Sequence, residues 1–170
     1  MASFKLSASL RSDFIHIVGI AIHIVGIRTE SKANLRHVFR AASETLLTIA
    51  ADPHRLGAQI GFLAVLHTWN QQLMPHPHLH CLVPAGGISP DGTRWIACRP
   101  NYFLNVDALG AMFRGKFLSF LRRAFTRGKL RLSGSLKPPA LRRNFHRFTL
   151  DLKDLKWVVY AKPPFAGPAH

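Results

Sequence analysis

The chain has 170 residues, enough for one domain with a core of its own and too few for two comfortable ones. It carries 23 Lys and Arg against 8 acidic residues, a formal charge of +15, which points to an anionic polymer as partner, either nucleic acid or an anionic membrane face. Cys81 and Cys98 are the only cysteines; they exclude a CxxC pair and a four-cysteine zinc module, and they fit a reducing compartment.

The longest apolar run, Phe14 to Ile27, has 14 residues and contains His16 and His23. It falls short of the roughly 20 residues that a membrane-spanning helix needs. Lys5 and Arg11 precede it as in a secretory signal, but no A-x-A cleavage site follows. Ile15-His-Ile-Val-Gly-Ile20 is repeated as Ile22-His-Ile-Val-Gly-Ile27, a unit far shorter than a solenoid repeat. Its β-branched residues predict one or two strands, with Gly19 and Gly26 as weak points. His16 and His23 read there as strand histidines on a half-exposed face.

From Ser31 the period changes. Leu35, Val38, Phe39, Ala42, Leu46 and Ile49 recur at steps of three and four, which predicts an amphipathic helix ending at Asp52-Pro53. Ile60 to Trp69 predicts a central strand with Leu63, Val65, His67 and Trp69 on one face. The next strand, entered through Pro75 and Pro77, places His76, His78 and His80 at alternate positions and hence on one face. Leu79, Cys81 and Val83 then point into the core, which fixes the register. Pro84 closes that strand, Gly86-Gly87 and Pro90-Asp-Gly92 read as turns, and Arg94 to Cys98 reads as a return strand.

A long helix is predicted from an Asn105 or Asp107 cap to Arg127, stopped by Gly128. Its buried stripe is Leu109, Met112, Phe113, Phe117, Phe120, Leu121, Ala124 and Phe125. Between Asp107 and Asp151 there is no acidic residue, while Arg114, Lys116, Arg122, Arg123, Arg127, Lys129, Arg131, Lys137, Arg142, Arg143 and Arg147 all fall there. Solvated helix faces usually mix signs, so this segment is assigned to phosphate contact, with Arg114, Lys116, Arg122, Arg123, Arg127, Lys129 and Arg131 as the DNA-binding candidates. Lys156 to Tyr160 predicts a last strand before a proline-rich ending, which reads as if a further element were missing.

Neutral imidazoles on one strand face are half of a metal site. The H-x-H-x-D-H zinc hydrolase pattern fails because His80 stands where its Asp is required, and two-histidine phosphoesterases need two separate motifs. What remains is a histidine pair around one bulky apolar residue, His78-Leu79-His80, the HUH arrangement. Six further stretches accompany it: Phe39-Arg-Ala-Ala-Ser-Glu-Thr-Leu46, Gly61-Phe-Leu-Ala-Val-Leu-His-Thr-Trp69, Ser89-Pro-Asp-Gly92, Trp95-Ile-Ala-Cys-Arg-Pro100, Phe113-Arg-Gly-Lys-Phe117 and Trp157-Val-Val-Tyr-Ala-Lys-Pro-Pro-Phe165. In this order they resemble the two-tyrosine HUH rolling-circle transposases of the insertion sequence 91/801/1294 type, over roughly residues 38 to 168.

The resemblance implies an α+β fold: a central antiparallel sheet carrying the HUH strand, flanked by helices. It implies a divalent ion, Mn2+ or Mg2+, on His78 and His80, polarising a phosphate of single-stranded DNA while a tyrosine attacks and leaves a 5′-phosphotyrosine. Imidazole-rich ligation suits manganese better than magnesium. For the third ligand, His67 is favoured on strand alternation, with His76 as its competitor. The resemblance also implies a cytoplasmic, nucleoid-associated bacterial protein with no membrane partner.

Residues 1–34 show no such resemblance, so the expected organisation is a distinct segment 1–34 followed by a partial HUH domain over 35–170. The family's Y-x-x-x-Y pair falls beyond His170 and its cysteine-rich zinc segment has no counterpart before Cys81. The expectation is therefore a truncated transposase with no catalytic tyrosine of its own. Tyr102 and Tyr160 are expected to be packing residues.

Overall fold

The structure is a computed structural model that describes residues 17–23, 32–69, 72, 75–99, 105–130, 141–154, 157 and 159–161. Its elements in chain order are β1 (Ile17–His23), α1 (Lys32–Ala51), β2 (Leu63–Trp69), β3 (Pro75–Pro84), β4 (Gly86–Ile88), β5 (Trp95–Ala97), α2 (Val106–Thr126), α3 (Leu141–Asp154) and β6 (Val159–Ala161). Four strands form one antiparallel sheet in the order β2-β3-β1-β6, and β4 pairs with β5 in a second, two-stranded sheet. The fold is α+β, with the histidine strand β3 in the sheet interior.

Helices α1 and α2 cover one face of that sheet. Leu79, Cys81 and Val83 of β3 are fully buried in the same apolar cluster as Val38, Leu46 and Ile49 of α1 and Leu109, Phe113 and Phe117 of α2. Burial pushes the Cys81 thiol up to about 11, so it behaves as an inert core group. The helix ends follow local chemistry. Ala108 N–H donates to the Asn105 side chain at 2.8 Å, capping α2, and Gly128 at φ 64° lets the chain leave it.

Three sequence readings change. Gly86-Gly87 is not a turn but the body of β4. A Cβ at Gly86 would lie 2.5 Å from the Ile96 carbonyl oxygen, and one at Gly87 2.5 Å from that of Gln59, so glycine is needed for close backbone approach. The helix α3 was not anticipated, because its apolar stripe is only Phe145, Phe148 and Leu152 among arginines and polar residues. The strand β1 lies between β3 and β6 in the four-stranded sheet. Tyr160 is not a packing residue, being 54% exposed between the half-buried Val159 and Ala161. Tyr102, Gly26 and His16 lie outside the described residues.

The loop joining β4 to β5 is organised by Asp91. Its carboxylate accepts from the Ser89 hydroxyl and from the Thr93 N–H and hydroxyl at 3.1 and 2.9 Å, which holds its pKa down at about 2. A depressed carboxyl stabilises the fold above its unfolded pKa and loses that effect as pH falls through the folded value. Asp91→Ala is thus expected to lower the melting temperature at pH 7, with the difference shrinking from pH 4 downward and gone near pH 2, in parallel thermal scans.

Candidate metal centre

Three imidazoles meet on the face of the sheet away from the helices. Antiparallel pairing sets His67 of β2 directly opposite His78 of β3 and Val65 opposite His80. Directly opposed residues project to the same face, and so do residues two apart on one strand. The burial agrees: Leu63, Val65, His67 and Trp69 of β2 are exposed, while Leu79, Cys81 and Val83, the neighbours in alternation to His78 and His80, are fully buried.

The ring centroids lie 4.4 Å apart for His67 and His80, 4.8 Å for His78 and His80, and 5.3 Å for His67 and His78. Each ring offers one nitrogen such that all three fall within 4.8 Å of one another. Metal–imidazole bonds near 2.1 Å place tetrahedral ligand atoms about 3.4 Å apart, so modest ring rotations close the set. Among the described residues the group contains histidines alone, a donor set that suits transition metals better than Mg2+. Burial, followed by the neighbouring His67 and His78, lowers the His80 pKa and favours the neutral, ligating form.

The side chain of the competing ligand His76 lies outside the described residues. The pairing runs His67↔His78 and then Trp69↔Pro75, so β3 carries one extra residue between these pairs, a β-bulge. Proline lacks the ladder N–H and is accommodated at such irregularities, and Pro77 falls there. The bulge interrupts the strict alternation of β3 between His78 and Pro75. On the other flank of β3, His23 of β1 takes the register position opposite His78, which sequence reading left as an ordinary strand histidine.

The basic candidates lie elsewhere. Arg122, Arg123, Arg127 and Lys129 are exposed on α2 and its C-terminal turn, in the helical layer and hence across the sheet from the imidazoles. Two of the set have partners within the fold. Arg114 donates to the Lys153 carbonyl at 3.3 Å, tying α2 to α3, and the Lys116 ammonium lies 3.6 Å from Glu44 of α1. Arg131 falls outside the described residues. The sequence missed that α3 extends this surface: Phe125 stacks on Phe145 with centroids 3.9 Å apart, bringing the exposed Arg142, Arg143 and Arg147 beside the end of α2.

An antiparallel sheet with helices on one face and a histidine-only cluster on the other defines an α+β protein with a candidate metal centre on an open sheet. Residues 61–170 match the Y2_Tnp family, described as "Putative transposase", and the chain belongs to that family. It is 52% identical over 161 residues to "Putative transposase y4qJ" of Sinorhizobium fredii, covering 94% of this chain and 40% of that protein. It is 38% identical over 55 residues to the "Transposase for insertion sequence element IS801" of Pseudomonas savastanoi pv. phaseolicola, covering 32% of this chain and 13% of that one. The chain therefore spans less than half the length of the curated relatives it matches. Among solved structures it is similar to "Conjugative Relaxase TrwC in complex with mutant OriT Dna", at 17% identity and a TM-score of 0.42, over 62% of this chain and 40% of that one. No helix among the described residues is long and apolar enough to cross a membrane.

Proposed function

We propose that this chain supplies the metal-holding part of a DNA transposase that acts on single-stranded DNA in the bacterial cytoplasm, at the nucleoid. The observation that carries the reading is the convergence of His67, His78 and His80 on an open sheet face, in a chain of the transposase family. A divalent ion held there supplies Lewis-acid polarisation of a phosphodiester oxygen. His78 and His80 provide two ligands from one strand, and His67 provides the third from its neighbour. The basic surface at the C-terminal end of α2, through Arg122, Arg123, Arg127 and Lys129, with Arg114 and Lys116 nearer the helix packing and Arg131 following in sequence, attracts the polyanion.

Nicking and rejoining through a 5′-phosphotyrosine is proposed for the longer family protein. This chain's share is to bind the metal and orient the strand, and residues 35–170 carry that share with β1 completing the sheet. The test is fluorescence anisotropy of a labelled 12-nucleotide single strand, titrated with protein in Mn2+ or in EDTA. Mn2+ is expected to tighten binding of the unmodified chain and to do nothing for His80→Ala. Equal affinities in Mn2+ and EDTA would sink the reading.

A further inference from the structure

The open face carries two large exposed aromatic side chains near the histidines, on different strands. Trp69, 61% exposed, lies two residues beyond His67 on β2, roughly 7 Å along the strand. Tyr160, 54% exposed, lies on β6. The registers place Tyr160 in the same cross-strand row as the site, because His80 pairs with Ala21 of β1 and Ala21 pairs in turn with Tyr160. Residues directly opposed in an antiparallel ladder project to one face, so the phenol and the His80 imidazole share the open face. Val159 and Ala161 pack towards the core on either side of Tyr160, which gives the same orientation independently. Two strand spacings separate Tyr160 from His80, about 10 Å, and the residue between them in the row is an alanine.

We propose that Tyr160 and Trp69 are base-stacking platforms for the nucleotides on either side of the phosphate at the histidine cluster, so that a single strand crosses the sheet from β6 to β2. The proposal rests on the phosphate-binding reading of that cluster. Its occupant is single-stranded DNA for three reasons. Unpaired bases offer π-faces that a duplex keeps stacked within itself, and aromatic platforms on a positively charged protein are how single strands are held without sequence preference. From Tyr160 the row runs through Ala21 and His80 to Val65, with His67 and then Trp69 following on β2, whereas the exposed aliphatic pair Leu63 and Leu82 lies further along β2 and β3 on the other side of Val65. The chain's charge of +15 matches a polyanion.

The test measures two affinities on each variant: Mn2+ alone by calorimetry, and the labelled 12-nucleotide strand by anisotropy. Tyr160→Ala and Trp69→Ala are each expected to weaken strand binding by roughly 5- to 100-fold while Mn2+ affinity stays unchanged. Tyr160→Phe keeps the ring and is expected to bind like the unmodified chain. A strand of abasic nucleotides is expected to bind the unmodified chain no better than the natural strand binds the double alanine variant. Unchanged strand binding by Tyr160→Ala overturns the proposal. So does Tyr160→Phe losing as much as Tyr160→Ala, because the hydroxyl and not the ring would then be used. A parallel loss of Mn2+ affinity would assign the two rings to holding the fold and also overturns it. An unmodified chain that binds the strand through both rings but takes up no Mn2+ would retain the platforms and reject the metal reading.

Discussion

His78→Ala is expected to reduce Mn2+ affinity by more than about 100-fold, the upper end of what loss of a mere supporting partner of a metal ligand costs. His78 faces His67 across the strand pair and neighbours His80 along β3, so its removal leaves two imidazoles where three converge. His80→Ala is expected to act alike, and His67→Ala to weaken binding more than His76→Ala does. The order of the last two is the sharper result, because it reads the β-bulge. Were His76→Ala the more damaging, the third ligand would lie on β3 and not on β2. Proton competition gives a second readout. Each ligand must be neutral to bind, so affinity is expected to fall as pH drops through the imidazole range. His80, with its lowered pKa, stays neutral to lower pH than an ordinary imidazole.

Phe113→Ala is expected to be the most destabilising single change in the helical layer, costing about 3–5 kcal/mol in urea unfolding. Phe113 is fully buried, lies parallel to Phe117 with centroids 5.8 Å apart, and meets Trp157 edge-on at 5.7 Å. Trp157 in turn donates to the Leu152 carbonyl at 2.7 Å, so the same ring packs against α2 and is tied to the end of α3 just ahead of β6. Typical domains hold only about 5–15 kcal/mol in total, so this change removes a large share of the margin. Phe113→Leu, which keeps most of the volume, is expected to cost clearly less. Equal losses for the two would mean that the cavity is not what matters.

The site was legible because strand alternation is a strict period. His78, Leu79 and His80 could only divide between two faces, and the apolar neighbours showed which face was buried. His67 followed from the same rule on the adjacent strand. The helices α1 and α2 were legible for a similar reason, with broad stripes of large apolar residues at helical spacing. Where the period fails, less was legible. One extra residue beside Pro77 interrupts the alternation of β3, and the proline is the one residue type that hints at it. The helix α3 buries a stripe one residue wide per turn, too thin to stand out among arginines. Tyr160 sits in an apolar run that looks buried on both faces, and its exposure and its pairing with Ala21 show that one side is open. The place of β1 inside the sheet is a long-range pairing, which no local pattern encodes.

Among the described residues β2 is an edge strand, and its outer row of N–H and C=O groups has no partner strand in the sheet. Such a row is a template on which a second chain can add itself, and exposed Leu63, Val65 and Trp69 make the template sticky. The irregular pairing between His67 and Trp69 twists the strand locally, which spoils a long flat match with an incoming strand. The irregularity beside Pro77 therefore guards this border of the sheet against self-association. A substitution that straightened β2 and β3 there would put the chain at risk of growing edge to edge.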